Sequence, residues 1–195
     1  LEMERRMGGV IKGESAIELV ETYTEEYYFM DHFYRKFYLY YDKIHDKDPF
    51  SKLAERVEDT YTHWYLNELS VKWSAAVQEE MLDSYPLARL NHQNYFYRDF
   101  VSPFIKNDER VFVIISDALR YEAGKELINL INKEVRGATE IEFMQGVIPS
   151  TTKFGMASLL PGKTLVINEK CEITVDHLNT KGTENRGKLI ANYSK

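Results

Sequence analysis

The sequence predicts a mixed fold, an aromatic-rich helical region followed by an α/β part, and three observations carry that prediction. No glycine occurs between Gly13 and Gly124, although the chain of 195 residues holds ten, so the commonest helix breaker is missing from more than half of it. Residues 1–110 contain 21 of the 26 aromatic residues and carry a net charge of −7, whereas residues 111–195 carry +1. At Val111 the helical period gives way to a continuous run, Val111-Phe112-Val113-Ile114-Ile115, the pattern of a strand buried on both faces of a parallel sheet.

The first helix opens at Ser15, which precedes Glu18 by the three residues of a capping box, in which hydroxyl and carboxylate each satisfy an amide that the first turn leaves unbonded. It is predicted to run to about residue 44. Val20, Tyr27, Tyr34 and Tyr41 repeat every seven residues, as do Tyr23, Met30, Phe37 and Ile44, so an apolar seam faces a partner helix. That spacing favours packing over a base-stacking role for the tyrosines. His45-Asp46-Lys47-Asp48 has the residue types of a metal cluster, but Asp48-Pro49 is also the N-cap and first position of a helix over residues 50–83. Leu53, Val57, Trp64, Val71 and Trp73 are that helix's predicted core side chains, and Ser84-Tyr85-Pro86 ends it. A third helical stretch runs over residues 87–105, interrupted at Pro103, and residues 106–110 form a polar connector.

After the apolar run come Ser116-Asp117 and a helix over residues 120–133, with Leu127, Leu130 and Ile131 facing the sheet: strand, turn, helix, the opening of a doubly wound α/β domain. Ligands of such sheets lie beyond the carboxyl ends of the strands, where Asp117 falls. A carboxylate there is compensated by a cation or by hydrogen bonds, or else caps the helix. A second apolar run over residues 141–148 ends at Pro149, and Ser150-Thr151-Thr152-Lys153 leads into a short helix closed by Pro161-Gly162. Amides at a helix start favour negative charge, so Thr152 becomes a nucleophile if a metal lowers its pKa; the alternative is that Ser150 to Thr152 cap the helix. Residues 163–167 and 171–175 read as two short strands around Asn168-Glu169, and residues 183–193 as a helix behind Gly182.

His32, His63 and His92 stand singly in helical stretches and His177 in a polar loop, positions of packed or solvated histidines rather than ligands. A lone Cys171 makes neither an internal disulfide nor a cysteine zinc site, which fits a reducing, cytoplasmic compartment. No run of about 18 apolar residues and no secretory leader is present, so no membrane association is expected. The chain begins with Leu1, as an excised or processed piece would. Its net charge of −6 argues against a strong nonspecific grip on nucleic acid. There is no Gly-rich phosphate loop, dinucleotide fingerprint, CxxC pair or HExxH motif.

The segments VFVIISDALRYE, residues 111–122, and GVIPSTTKFGMASLLPG, residues 146–162, resemble the PglZ family, a branch of the alkaline phosphatase superfamily found in bacterial phage-defence systems of the BREX type. TKGTENR, residues 180–186, is similar to the family's turn into its next helix, and the upstream aromatic helices resemble the region before its phosphatase domain. The resemblance implies a helical region over residues 1–108 and, over 109–195, the first half of an alkaline-phosphatase-like doubly wound sheet. It implies a metal-dependent phosphohydrolase acting on a phosphate ester, nucleic acid among the candidates, with other BREX components as partners. Asp117 takes the position of a metal ligand, for a metal that is usually zinc, and Thr152 that of the nucleophile and second oxygen at the metal; Pro149, three residues before, selects Thr152 over Thr151. Arg120, Glu122 and Lys153 sit inside the motifs, as phosphate contacts or as helix-surface ion pairs. The superfamily's remaining Asp and His ligands have no match, so the chain by itself is expected to be inactive. The alternative is a scaffold module that docks a partner through its acidic aromatic helices.

Overall fold

The computed structural model describes residues 2–7, 10–81, 87, 89–134 and 137–193. Along the chain run helices α1 (Glu2–Met7), α2 (Ala16–Thr22), α3 (Tyr28–Tyr41), α4 (Ser51–Glu58), α5 (Asn67–Met81), α6 (Ser102–Lys106), α7 (Tyr121–Glu134) and α8 (Thr152–Ser158). Strands β1 (Leu165–Ile167), β2 (Ile173–Val175) and β3 (Leu178–Asn179) and helix α9 (Gly182–Tyr193) follow. π-Helical turns at Tyr23–Tyr27 and Asp59–Leu66 join α2 to α3 and α4 to α5, making two long helices. The chain forms two compact units, Leu1–Arg89 with Ala118–Ile141, and Leu90–Asp117 with Glu142–Lys195, so each draws on both sides of residue 108.

In the first unit the capping box is present: the Ser15 hydroxyl accepts from the Glu18 amide at 3.3 Å and the Glu18 carboxylate accepts from Ser15 at 3.4 Å and Glu14 at 2.9 Å. The helix ends at Tyr41, three residues short of Ile44. Its buried residues after Ala16 are Leu19, Thr24, Tyr27, Met30 and Asp31. Leu19 and Thr24 stand five apart, because the π turn inserts one residue and rotates the remainder of the helix. The seven-residue seam therefore does not continue unbroken, and Asp31 turns inward.

The second long helix departs further from expectation. Its core side chains are Thr60, Tyr61, Tyr65 and Ala76, while Leu53, Val71 and Trp73 are exposed. The start differs too: Asp48 is the first residue of a short 3₁₀ turn and its own amide is capped by the Asp46 carboxylate at 3.2 Å. The predicted stop at Ser84-Tyr85-Pro86 lies outside the described residues. Helix α7 packs on α3 through its Tyr121, Glu122 and Glu126 side, whereas Leu127 and Leu130, expected to face a sheet, are exposed.

In the second unit Gln93–Tyr95 form a 3₁₀ turn and Tyr97–Val101 a π turn leading into α6. Pro103 does not interrupt this stretch: it lies in the first turn of α6, where a missing N–H is tolerated. Residues 87–92, predicted helical, are not helical where described; His92 instead makes a parallel bridge to Gln145, with Gln145 N to Asn91 O at 2.7 Å and Gln93 N to Gln145 O at 2.9 Å. The sheet is a three-stranded antiparallel one in the order β1-β2-β3. Its β1–β2 turn is built on Asn168, whose side-chain oxygen accepts from Lys170 and Glu172 at 3.0 and 2.9 Å. The sheet and two helices share a core of Val147, Phe154, Ala157, Ile173, Val175 and Leu189.

Val111 to Ile115, expected as a strand buried on both faces, forms no strand and is unpaired among the described residues, with Phe112 80% and Ile114 92% exposed. The apolar run states what the segment would bury, but strand formation needs a neighbour to complete the backbone hydrogen bonds, and none is present. The second run, residues 141–148, is likewise irregular apart from the Gln145 bridge. No helix among the described residues is long and apolar enough to cross a membrane.

Candidate active site

Asp117 ends the exposed apolar stretch and enters a turn whose next residue, Ala118, has φ 57°. Thr152 opens α8 directly after the cis Ile148–Pro149 bond and residues 150–151. Both belong to the second unit. Although 35 positions separate them, their side chains meet: the Thr152 hydroxyl donates to Asp117 Oδ2 at 3.3 Å, and both side chains face solvent. At that length it is a weak bond, beyond the usual range for O–H···O. Thr151, not Thr152, is the N-cap, with extended φ and ψ of −90° and 146° and no side-chain capping bond, so the Thr152 hydroxyl is not spent on the helix end.

The pair has a definite chemical limit. An alcohol hydroxyl is a far weaker acid than a carboxylic acid, so Asp117 orients the Thr152 oxygen without deprotonating it. A nucleophile made from it needs a cation to hold the alkoxide. Asp117 and Thr152 supply two oxygen donors where a catalytic zinc takes three protein ligands or more, and no group of three His, Cys, Asp or Glu among the described residues lies close enough to hold a metal. These residues alone do not fit a zinc site.

The other charged motif residues have structural partners. Lys153 donates to the Cys171 carbonyl in the β1–β2 turn. In the first unit Arg120 reaches Asp31 at 3.1 Å and the Tyr61 hydroxyl at 3.4 Å, and Glu122, fully buried, receives the Arg35 guanidinium. Arg120 and Glu122 are in ion pairs, as expected, but with residues of α3 rather than along one helix surface. His92 is buried, and burial pushes its imidazole below the ordinary range; His177 sits exposed at φ 67° in the turn between β2 and β3. A cleft of about 790 Å³ in the second unit is lined by Tyr95, Tyr97, Arg98, Phe154 and Tyr193 among others, but not by Asp117 or Thr152.

Sequence reasoning passed over Asp31 and Arg35. The available signal was an acid placed between Tyr27 and Tyr34 in an aromatic seam, a costly position unless a cation meets it.

Comparison with known proteins places the sequence in a family. The alkaline phosphatase-like domain of the BREX system PglZ proteins matches residues 96–195, the segment holding Asp117 and Thr152. The chain is 46% identical over 189 residues to the alkaline phosphatase-like protein PglZ of Bacillus cereus (strain H3081.97), covering 97% of this chain and 22% of that protein. It is 37% identical over 180 residues to the alkaline phosphatase-like protein BrxZ of Escherichia coli O9:H4 (strain HS), covering 89% and 21%. The chain thus spans about a fifth of the length of these curated relatives. No solved structure matches it. On the match over residues 96–195, the chain belongs to the PglZ family of BREX alkaline phosphatase-like proteins.

Proposed function

We propose that this chain is the helical lead-in and the opening of the phosphatase domain of a phosphoric ester hydrolase serving BREX phage defence in the cytoplasm. Residues 1–108 are the helical region and residues 109–195 the partial α/β domain, whose doubly wound sheet is completed by the rest of the full-length protein. Thr152 loses its hydroxyl proton to solvent and attacks phosphorus in line, forming a phosphothreonine as the ester's alcohol leaves and takes up a proton; water then attacks phosphorus, releasing phosphate and restoring the Thr152 hydroxyl; Asp117 orients the attacking oxygen. Zinc, the metal the resemblance implies, would take Asp117 as a ligand from this chain and its remaining ligands from elsewhere in the full-length protein, and would supply the charge that holds an alkoxide at neutral pH. The supporting observation is the 3.3 Å approach of Thr152 to Asp117, within a segment that matches the family. The substrate is a phosphate ester, with nucleic acid among the candidates, and the partners are other BREX components.

The test is turnover of a chromogenic phosphodiester and a phosphomonoester by the full-length protein in the presence of zinc. Replacing the nucleophile in Thr152→Ala is expected to lower kcat by at least about a thousandfold. Undiminished turnover would reject the assignment. The scaffold reading is favoured by one observation, the exposed Leu39, Tyr40, Phe50 and Leu53 of the helical region. It prevails if the wild-type full-length protein turns over neither ester.

A further inference from the structure

Gln93, the first residue of the 3₁₀ turn Gln93–Tyr95, joins the segments on either side of Thr152, and all of them belong to the second unit. Its side-chain oxygen accepts from the Val147 amide at 3.2 Å, and its side-chain nitrogen donates to the Gly155 carbonyl at 3.1 Å. An amide N–H only donates and a carbonyl only accepts, so the two partners fix which end of the Gln93 side chain faces which. The Gln93 backbone is held at the same place, with Gln93 N to Gln145 O at 2.9 Å and Gln145 N to Asn91 O at 2.7 Å. Val147 stands before Thr152 and Gly155 after it, so one side chain brackets the short stretch that carries the hydroxyl.

Apolar packing does not supply what these two bonds supply. Val147 shares a core with Phe154 and Ala157 of α8, which presses the helix against the run before Pro149. Apolar contact is non-directional, however, and tolerates small slides and rotations that a hydrogen bond, weakening steeply with misalignment, does not. Helix α8 has seven residues, and Thr151 caps it without a side-chain bond, so its first turn depends on ties made further along. One is Gln93 to Gly155; another is the long, exposed Lys153 side chain on the Cys171 carbonyl. The bond from Thr152 to Asp117, at 3.3 Å, is too weak to hold the hydroxyl by itself.

We infer that Gln93 is a positioning residue for Thr152: its side-chain amide sets the axial position and rotation of α8 and so aims the Thr152 hydroxyl at Asp117. The consequence for catalysis rests on the role proposed above for Thr152; the holding of α8 does not. Gln93 acts through the backbone at Val147 and Gly155 rather than on the reacting atoms.

The full-length protein tests this with Gln93→Met, which keeps the length of the side chain and loses both bonds, and with Gln93→Glu, whose carboxylate still accepts from Val147 but has no donor for Gly155. Ile173→Val serves as control, since it removes one methylene from the same core and leaves Gln93 in place. Hydrogen–deuterium exchange of the Phe154 and Gly155 amides, which both donate to the Thr151 carbonyl and so report the first turn of α8, is measured beside kcat and KM. Both Gln93 variants are expected to speed that exchange about tenfold or more, with the amides of β1 and β2 unchanged, and to lower kcat about tenfold to a hundredfold with KM nearly constant. Ile173→Val is expected to lower Tm and leave kcat alone. Unchanged exchange at Phe154 and Gly155 in both Gln93 variants overturns the inference, as does faster exchange with undiminished kcat, or an equal loss of kcat in Ile173→Val. Wild-type behaviour of Gln93→Glu overturns it too, because the hold would then lie on Val147 alone. If the wild-type protein has no turnover, exchange alone decides: acceleration confined to Phe154 and Gly155 upholds the held helix while the proposed site falls. Where Gln93→Met does not accumulate as folded protein, Gln93→Glu decides by the same measurements.

Discussion

At Gly162 the backbone has φ 156°, and a Cβ built there would lie 2.1 Å from Cγ1 of Val175. Val175 is buried in the core of the second unit, and its branched side chain has no alternative rotamer that clears the space cheaply. Gly162→Ala therefore combines overpacking with an unfavourable backbone angle, and is expected to destabilise the unit by about 3 kcal/mol. Urea denaturation followed by circular dichroism would detect this, and a loss below about 1 kcal/mol would show that β2 can shift. Individual residues were legible in the sequence where their chemistry is local. Ser15 and Glu18 form their capping box, and Asn168 its turn, because each interaction closes within four residues. Asp176 was not legible: its carboxylate receives the amides of Lys163 and Thr164 at 3.1 and 2.8 Å and the Tyr193 hydroxyl, partners 12 to 17 residues away.

Between elements, the misread quantity was rotation. A glycine-free aromatic stretch correctly announced two long helices, but the π turns at Tyr23–Tyr27 and Asp59–Leu66 each change which face looks inward. Extending a seven-residue repeat through the first of them left Asp31 unnoticed, and in the second helix choosing core-sized side chains without that rotation placed Leu53, Val71 and Trp73 in the core. The α3–α7 contact that results is electrostatic and carries a pH signature. Lys36, and after it Arg35, hold the Glu126 carboxyl down at about 2. A depressed carboxyl contributes stability above its unfolded pKa of about 4.3 and loses it as pH falls through the folded value. The Tm difference between wild type and Glu126→Gln is accordingly expected to be constant above about pH 5.5 and to vanish as pH approaches 2. A difference that persists at pH 2 would mean that Glu126 contributes by packing instead.

For the molecule as a whole, the candidate pair was legible because both residues follow apolar runs that belong to a recognisable pattern, while the sheet those runs imply was not realised. A sheet is a property of several segments at once, and an unpaired strand has no hydrogen-bond partners to hold it. Here Val111 to Ser116 ends at Asp117 with Phe112 and Ile114 turned to solvent. Val113 and Ile115 are also exposed, so both faces of the expected strand would lack cover. In the proposed full-length protein, further strands would pair with this segment and helices would cover both faces, bringing the carboxyl end of a central strand to the site. Cysteine accessibility separates the two environments. In a Cys171→Ser background, which removes the one cysteine of these 195 residues, with labelling read by mass spectrometry on the peptide that carries position 114, Ile114→Cys is expected to react with a maleimide within minutes in the 195-residue chain. In the full-length protein the same thiol is expected to react at least about a hundredfold more slowly, since only opening of the sheet would expose it. Equal reactivity in both would show that the segment is not a sheet strand in either, and Asp117 would then lack the strand end on which the proposed domain places it.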